Sequence, residues 1–215
     1  MGKDADLKRI LDLGLVAILR APSGEQLLNV SQALLAGGID VIEVTFTVPG
    51  VLDIIKQLSR EMGDKILLGA GTVLDAESAR AAILAGAEFI VTPTVNADVI
   101  RLCQRYGKVV MAGGFTPTEI LTAWETGADI VKVFPADVGG PNYLKAVRGP
   151  LPQIRLLPTG GVNLDTLQDF VNAGACAVGL GTALVEKEAL ANGNLDRMRT
   201  LAAAYVEKMK AVRNK

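Results

Sequence analysis

The sequence predicts an α/β fold, a single-domain (β/α)8 TIM barrel that spans residues 1–215. The first observation behind this prediction is that a glycine precedes a short apolar, β-rich run at eight places along the chain. The second is spacing, because successive glycines lie roughly twenty to twenty-six residues apart, which leaves room for one helix and one strand. The third is that half of the 215 residues are hydrophobic, enough for one large core.

The predicted elements follow one another in a regular order. The predicted strands cover residues 15–19, 39–42, 65–68, 89–91, 109–111, 130–133, 154–157 and 176–178. The stretches between them have helical periodicity, for example residues 25–35 and 75–84, and the tail 194–215 predicts a final amphipathic helix. An open doubly wound sheet is the alternative architecture, but no Gly-x-Gly-x-x-Gly motif follows the first strand.

Composition excludes several classes of function. The formal net charge of −1, the lack of a basic run and an aromatic content of 4% argue against nucleic-acid binding. No apolar run is long enough to cross a bilayer, so no membrane association is expected. Cys103 and Cys176 lie far apart without a CxxC motif, which favours a reducing, cytoplasmic setting. Because the chain has no histidine, Ser-His-Asp triads, Cys-His dyads and histidine-ligated metal sites are excluded.

Lys132 interrupts the sixth predicted strand, at a position where a covered parallel sheet normally carries apolar residues. A buried ammonium must be paired or desolvated, and desolvation favours the neutral, nucleophilic form of an amine. Such an amine can condense with a ketone to form a Schiff base. The alternative interpretations are a structural lysine in a buried ion pair, or a lysine whose stem carries the charge out to solvent.

Glu43 is the second charged residue that follows a buried apolar run. Strand alternation places Glu43, Thr45 and Thr47 on one face and the neighbouring apolar residues on the other. The polar face is expected to point into the barrel. Lys132 and Phe134 likewise share one face of their strand, so Lys132 and Glu43 can point into the same lumen. A carboxylate in that lumen could transfer protons, with its acidity set by burial and by the nearby ammonium. The alternative is that Glu43 is only the buried counter-ion of Lys132.

Two glycine-containing motifs follow the seventh and eighth predicted strands, Gly160-Gly161 and Gly181-Thr182. In barrels of this type, backbone N–H groups at those two strand ends often hold a phosphate. The two motifs together therefore predict a phosphorylated ligand. A third segment, residues 69–72, is similar to a fragment of a dinucleotide loop, but a close backbone approach to a small carboxylate fits equally well.

Five short strings, taken together and in this order, resemble the 2-keto-3-deoxy-6-phosphogluconate (KDPG) and 4-hydroxy-2-oxoglutarate (KHG) aldolase family. They are IEVTFT at 42–47, GAGTV at 69–73, TPTE at 116–119, KVFPA at 132–136 and PTGGV at 158–162. The resemblance covers about residues 7–190. It implies a class I pyruvate aldolase on a (β/α)8 barrel that is a homotrimer and needs no metal and no cofactor.

The resemblance also implies a role for each matching residue. Lys132 would form the Schiff base, and Glu43 would act as general acid and base through a water. The implied substrate-binding residues are Arg20, Thr45, Gly71, Thr72, Pro93, Phe134 and Thr159. Within that set, Thr72 would hold the pyruvate carboxylate, Pro93 and Phe134 would form an apolar wall, and Thr159 would lie near the hydroxyl-bearing carbons. The phosphate would lie on the backbone of Gly160, Gly161, Gly181 and Thr182.

The implied reaction is cleavage of KDPG to pyruvate and glyceraldehyde 3-phosphate. Alternative substrates are 2-keto-3-deoxy-6-phosphogalactonate and unphosphorylated KHG. Two alternatives from other classes are a non-catalytic phosphosugar-binding barrel, in which the two charges only pair, and a phosphosugar isomerase or epimerase.

The sequence departs from the family pattern at three positions. Thr47 stands where some members carry an arginine that contacts substrate, which leaves Arg20 as the nearby cation. Thr94 and Ala112 replace a glycine and a proline that are common in the family, and could reshape the pocket around Lys132.

Overall fold

Eight parallel strands alternate with helices in the computed structural model, which describes residues 2–21 and 23–214. The strands are β1 (Leu15–Leu19), β2 (Val41–Thr45), β3 (Leu67–Gly71), β4 (Phe89–Val91), β5 (Val109–Gly114), β6 (Ile130–Val133), β7 (Leu156–Pro158) and β8 (Val178–Leu180). The helices are α1 (Lys3–Leu13), α2 (Gly24–Ala36), α3 (Val51–Met62), α4 (Ala76–Ala85), α5 (Ala97–Arg105), α6 (Pro117–Glu125), α7 (Ala136–Arg148), α8 (Leu167–Asn172), α9 (Lys187–Ala191) and α10 (Leu195–Arg213). The predicted (β/α)8 fold is confirmed.

The strands pair in the order β7-β6-β5-β4-β3-β2-β1-β8, so β7 and β8 are the two strands that must meet to close the barrel. They meet through a single parallel bridge between Thr159 and Gly179. The bridge requires a glycine, because a Cβ at position 179 would lie 2.3 Å from the Thr159 Oγ1 atom. Thr159, a predicted substrate-binding residue, therefore also lies at the seam of the barrel.

Strand alternation separates two apolar layers. One layer lies between the strands and the helices and contains outward-facing residues such as Ile42, Val44 and Val131. The other fills the amino-terminal half of the lumen with inward-facing residues such as Val41 and Ile130. Because inward-facing positions recur every second residue, the buried polar residues Glu43, Thr45 and Lys132 lie in the lumen above this apolar layer.

Helix α1 closes the amino-terminal end of the barrel, and sequence reasoning did not predict it. Its Ile10 is fully buried and packs in the lumen layer, with Leu7 and Leu11 beside it. The apolar residues of α1 precede the first glycine-to-strand unit, so no element was predicted for them. The short helix α9 was missed for a similar reason, since it lies after the last unit.

Four strands start two residues later than predicted, whereas the bounds of β1, β4 and β6 agree with the prediction. Before three of the displaced strands, an apolar residue is buried in the connecting loop: Ile39, Ile66 and Ile154. Burial in the core therefore begins before the hydrogen-bonded ladder does. An apolar run marks where the chain enters the core, which is not the same residue as the start of a strand.

The predicted helices agree well with the structure. Residues 25–35 fall in α2, and residues 76–84 fall in α4 with Asp75 as its N-cap. The tail forms α10 from Leu195 to Arg213, with Lys215 outside the described residues. Among the described residues, no helix has both the length and the apolar character that a membrane crossing needs.

Candidate active site

Lys132 lies on β6 with its side chain in the lumen, two residues beyond Ile130 on the same inward face. It is 6% exposed, and its strand neighbours are Gly113 on β5 and Leu157 on β7. Among the described residues, its amine makes no salt bridge and donates no hydrogen bond. The amine lies over the Phe134 ring, whose centroid is 5.3 Å from Nζ. An unpaired, buried amine of this kind is available for chemistry.

Glu43 lies on β2, two residues beyond Val41 on the inward face, and is 2% exposed. Burial raises the pKa of its carboxyl, while the positive charges of Lys132 and Arg20 act in the opposite direction and are the smaller effects. Its Oε1 atom is buried and has no hydrogen-bond partner among the described residues. A carboxyl group with a raised pKa, close to a lysine, is suited to exchanging protons near neutral pH.

The interpretation of Lys132 and Glu43 as a plain ion pair is not supported. The two charges act on each other through the lumen, but the described residues contain no salt bridge between them. Buried polar atoms are normally satisfied, and a buried pair kept for structure alone would be expected to make direct contact. Lys132 and Glu43 are therefore not direct partners of each other among the described residues.

The ends of β2 and β3 carry the next predicted residues. Thr45 is fully buried and its hydroxyl is 2.7 Å from that of the exposed Thr47, so the two lie on the same side of the chain as predicted. Thr72 has a φ of 56°, a left-handed backbone conformation that a β-branched residue rarely adopts. Such strain concentrates at functional sites. Thr47 and Thr72 line one small cleft of about 270 Å³.

Thr92 is a buried polar residue next to the predicted Pro93, and the sequence analysis assigned it no role. Its hydroxyl donates to the Thr94 carbonyl at 2.6 Å and accepts from the Gly113 N–H at 3.1 Å. It therefore ties the end of β4 to β5, next to the strand that carries Lys132. The signal that could have revealed it is a threonine directly after a fully apolar strand.

Ala112, one of the three residues that depart from the family pattern, does not lie where it was expected. Ala112 is fully buried on the outward face of β5 and packs in the layer between strands and helices, so it does not line the pocket around Lys132. The expectation for Ala112 was wrong, because alternation along β5 points Met111 and Gly113 inward and Ala112 outward. Thr94 is exposed at the end of β4, where its carbonyl accepts the Thr92 bond.

A cleft of about 390 Å³ opens at the carboxyl ends of β1, β6, β7 and β8. It brings together seven of the predicted residues, which are Arg20, Phe134, Thr159, Gly160, Gly161, Gly181 and Thr182. It also contains residues that were not predicted, Ile18, Val162, Asn163, Gly179 and Ala183. Phe134 is 40% exposed, follows Lys132 by two residues on the same face, and is joined to Pro135 by a cis peptide bond. The cleft therefore lies above the layer that holds Lys132.

Thr159 presents a second buried, unsatisfied polar atom. Its Oγ1 has no hydrogen-bond partner among the described residues, although its side chain is 8% exposed and lines the cleft. An unpaired buried hydroxyl is unfavourable by about 1–3 kcal/mol. Glu43 and Thr159 thus both hold polar atoms that a ligand in the barrel could satisfy.

The described residues do not gather three or more acidic, cysteine or histidine side chains into one group that could bind a metal ion. The polar groups around the cleft are instead backbone amides, hydroxyls and the Arg20 guanidinium. These are groups that bind anions.

Comparison with known proteins agrees with this geometry. The family model for KDPG and KHG aldolase matches residues 7–201. The chain belongs to the KDPG and KHG aldolase family. The relationship was predicted from five short strings, and it is confirmed over most of the chain.

Members of the KDPG and KHG aldolase family with different named substrates are similar to this chain. This chain is 37% identical over 196 residues to the 2-dehydro-3-deoxy-6-phosphogalactonate aldolase of Escherichia coli strain K12. The matched region covers 91% of this chain and 94% of that protein. This chain is also 32% identical over 208 residues to the 2-dehydro-3-deoxy-phosphogluconate aldolase of Haemophilus influenzae. The matched region covers 95% of this chain and 96% of that protein.

A solved structure of the same family is also similar. The KDPG aldolase of Legionella pneumophila, with pyruvate captured as a covalent carbinolamine intermediate, has a TM-score of 0.87 at 28% identity and covers 95% of this chain and 98% of that chain. The barrel described above is therefore the family fold.

Proposed function

We propose that this protein is a class I aldolase that cleaves KDPG to pyruvate and glyceraldehyde 3-phosphate, with Lys132 as the Schiff-base residue and Glu43 as the general acid and base. The observation that carries the proposal is that two groups lie in one lumen: the buried Lys132 amine, which makes no salt bridge among the described residues, and the Glu43 carboxyl, whose pKa is raised. A cleft lined by groups suited to anions lies above them. The two groups are close enough for their charges to interact but make no salt bridge among the described residues.

The reaction follows from the chemistry of these two groups. The Lys132 amine adds to the C2 carbonyl to form a carbinolamine, which loses water to form a protonated imine. Glu43 accepts the proton of the C4 hydroxyl as the C3–C4 bond breaks, and the bonding electrons pass into the imine to form an enamine. Glyceraldehyde 3-phosphate leaves. The enamine is then protonated at C3, with Glu43 returning its proton through a water, and hydrolysis of the imine releases pyruvate.

Substrate binding is assigned to the strand ends. The strained backbone at Thr72 and the adjoining Gly71 are proposed to hold the carboxylate, with Thr45 beside them. Thr159 is proposed to hydrogen-bond a substrate hydroxyl, which is supported by its unsatisfied Oγ1. Pro93 and Phe134 are proposed to form the apolar wall.

The phosphate site is assigned to the cleft formed by Gly160, Gly161, Gly181 and Thr182, with Arg20 on its rim. Gly181 is compatible with this role because the space beside it is empty: a Cβ there would meet no atom within 4 Å. Exposed backbone amides and one guanidinium suit a phosphate dianion.

The substrate can be tested by comparing three compounds. We expect the highest kcat/KM with KDPG, a lower value with its C4 epimer 2-keto-3-deoxy-6-phosphogalactonate, and the lowest with unphosphorylated KHG. The galactonate compound is the second candidate, because a relative at 37% identity bears that name. Equal kcat/KM values for phosphorylated and unphosphorylated substrates would contradict the assignment of the phosphate site, and no turnover of any of the three would contradict the aldolase proposal.

We propose that the protein is a homotrimer and that it works in the cytoplasm. Support for a symmetric oligomer comes from a chain at 35% identity and TM-score 0.87 whose structure is described as a cage designed by fusing symmetric oligomeric domains. Support for a reducing compartment comes from Cys103 and Cys176, which are both free. Light scattering on the purified protein tests the trimer, and a monomer mass would contradict it.

A further inference from the structure

The loop after β7 has an unusual backbone. Gly160 and Gly161 both have positive φ values, 99° and 69°. Position 161 is also crowded, because a Cβ there would lie 2.8 Å from the Cβ of Asp137 on α7. Two consecutive left-handed residues give a loop whose amides can turn toward an anion, but such a loop is flexible unless other contacts hold it.

Thr166 supplies a contact of that kind. Its hydroxyl donates to the Gly161 carbonyl at 2.8 Å and accepts from the Asn163 N–H at 3.0 Å. The Asn163 side chain in turn accepts from the N–H groups of Asp165 at 2.9 Å and Thr166 at 3.0 Å. The two side chains therefore tie the glycine loop to the first turn of the chain that leads into α8.

The bond to the Gly161 carbonyl has a consequence for the next amide. The peptide between Gly161 and Val162 is trans, so the Val162 N–H points opposite to the Gly161 carbonyl. Since the carbonyl faces Thr166, the Val162 N–H faces away from it, and Val162 lines the cleft. Neither the Gly161 N–H nor the Val162 N–H donates to another described residue, so both are free for a ligand.

We propose that Thr166 is a positioning residue for the phosphate group of the substrate. It does not touch the ligand, and it acts through the Gly161 carbonyl to hold the Gly161–Val162 peptide with its N–H toward the cleft. This inference rests on the proposed phosphate site of the aldolase. It predicts that the Thr166 hydroxyl matters for phosphorylated substrates and not for the chemistry at Lys132.

The test compares Thr166→Val, which removes the hydroxyl at nearly constant shape, with Thr166→Ser, which keeps it. Thr200→Val is the matched control, because the Thr200 hydroxyl also bonds a backbone carbonyl, that of Asp196 at 2.8 Å on α10. Steady-state kinetics are measured with KDPG and with unphosphorylated KHG. We expect Thr166→Val to raise KM for KDPG about three- to tenfold with kcat retained, the range that the loss of one hydrogen bond produces. KM for KHG should stay unchanged, and Thr166→Ser and Thr200→Val should behave like the wild type.

Two results would overturn the inference. One is an unchanged KM for KDPG in Thr166→Val, and the other is an equal loss on both substrates, which would indicate general damage to the fold. A binding titration with inorganic phosphate, which needs no turnover, keeps the test valid if the wild-type protein cleaves neither compound. In that case the proposed reaction fails, while weaker phosphate binding by Thr166→Val than by Thr166→Ser still supports the positioning role. Equal phosphate affinity in the two variants would overturn it.

Discussion

Gly71 on β3 lies directly against the Glu43 carboxylate, and a Cβ at position 71 would lie 1.7 Å from Oε1. A side chain at position 71 cannot coexist with the carboxylate in this place, so the glycine leaves the room that Glu43 occupies. We expect Gly71→Ala to displace the carboxyl group and lower kcat at least tenfold, measured by steady-state kinetics. Gly149→Ala is the matched control, because Gly149 is helical at φ −51° and a Cβ there meets its nearest atom at 3.4 Å. Normal kcat in Gly71→Ala would contradict the claim that catalysis needs the Glu43 carboxylate at this exact place.

Replacing Glu43 itself separates proton transfer from imine formation. Glu43→Gln keeps the shape of the side chain but removes the group that exchanges protons. We expect kcat for KDPG cleavage to fall about 10²- to 10⁴-fold. Pyruvate should still be trapped on Lys132, because the amine is unchanged. A variant with near wild-type kcat would contradict the role of Glu43.

The raised pKa of Glu43 also predicts a pH dependence of stability. Between the ordinary carboxyl pKa of about 4.3 and the raised folded value, the native protein binds more protons at this site than the unfolded chain does. The free energy of unfolding of the wild type should therefore fall, relative to Glu43→Gln, as the pH rises from about 4.3 through the folded pKa. Thermal melts of both proteins across this range measure the difference. A wild-type free energy of unfolding that instead rises relative to Glu43→Gln with increasing pH would mean that the folded pKa is lowered.

Thr159→Val tests the unsatisfied hydroxyl at the barrel seam. Valine has nearly the same shape and carries no buried polar atom, so the variant should unfold with a free energy about 1 kcal/mol higher than the wild type in the absence of ligand. At the same time kcat/KM for KDPG should fall about tenfold if the hydroxyl binds substrate. We therefore expect the free energy of unfolding to rise while kcat/KM falls, as measured by denaturant titration and by steady-state kinetics. A loss of both would indicate a structural role alone.

Sequence reasoning placed the two charged residues correctly because the physics involved is local. Strand alternation alone puts Lys132 and Glu43 on inward faces, and the structure buries both in one lumen. The glycine spacing likewise predicted eight strand–helix units. These inferences need only the period of a strand and the glycine that ends a helix.

The rest depends on contacts between distant segments, which have no local signal. The plug formed by α1 and the seam between Thr159 and Gly179 join parts of the chain far apart in sequence. The bond from Thr166 to Gly161 spans five residues, but its partner is a backbone carbonyl whose direction depends on the φ values of the glycine loop. Ala112 was misplaced because its strand extends beyond the predicted end and its outward face was not counted.

The most direct test of the Schiff-base role of Lys132 is reduction with borohydride in the presence of pyruvate, followed by intact-mass and peptide mass spectrometry. We expect one adduct of reduced pyruvate per chain, located on Lys132 and lost in Lys132→Met, because that amine is buried and makes no salt bridge among the described residues. An unmodified protein, or an adduct spread over surface lysines, would contradict the Schiff-base role of Lys132 and favour a binding barrel or an isomerase.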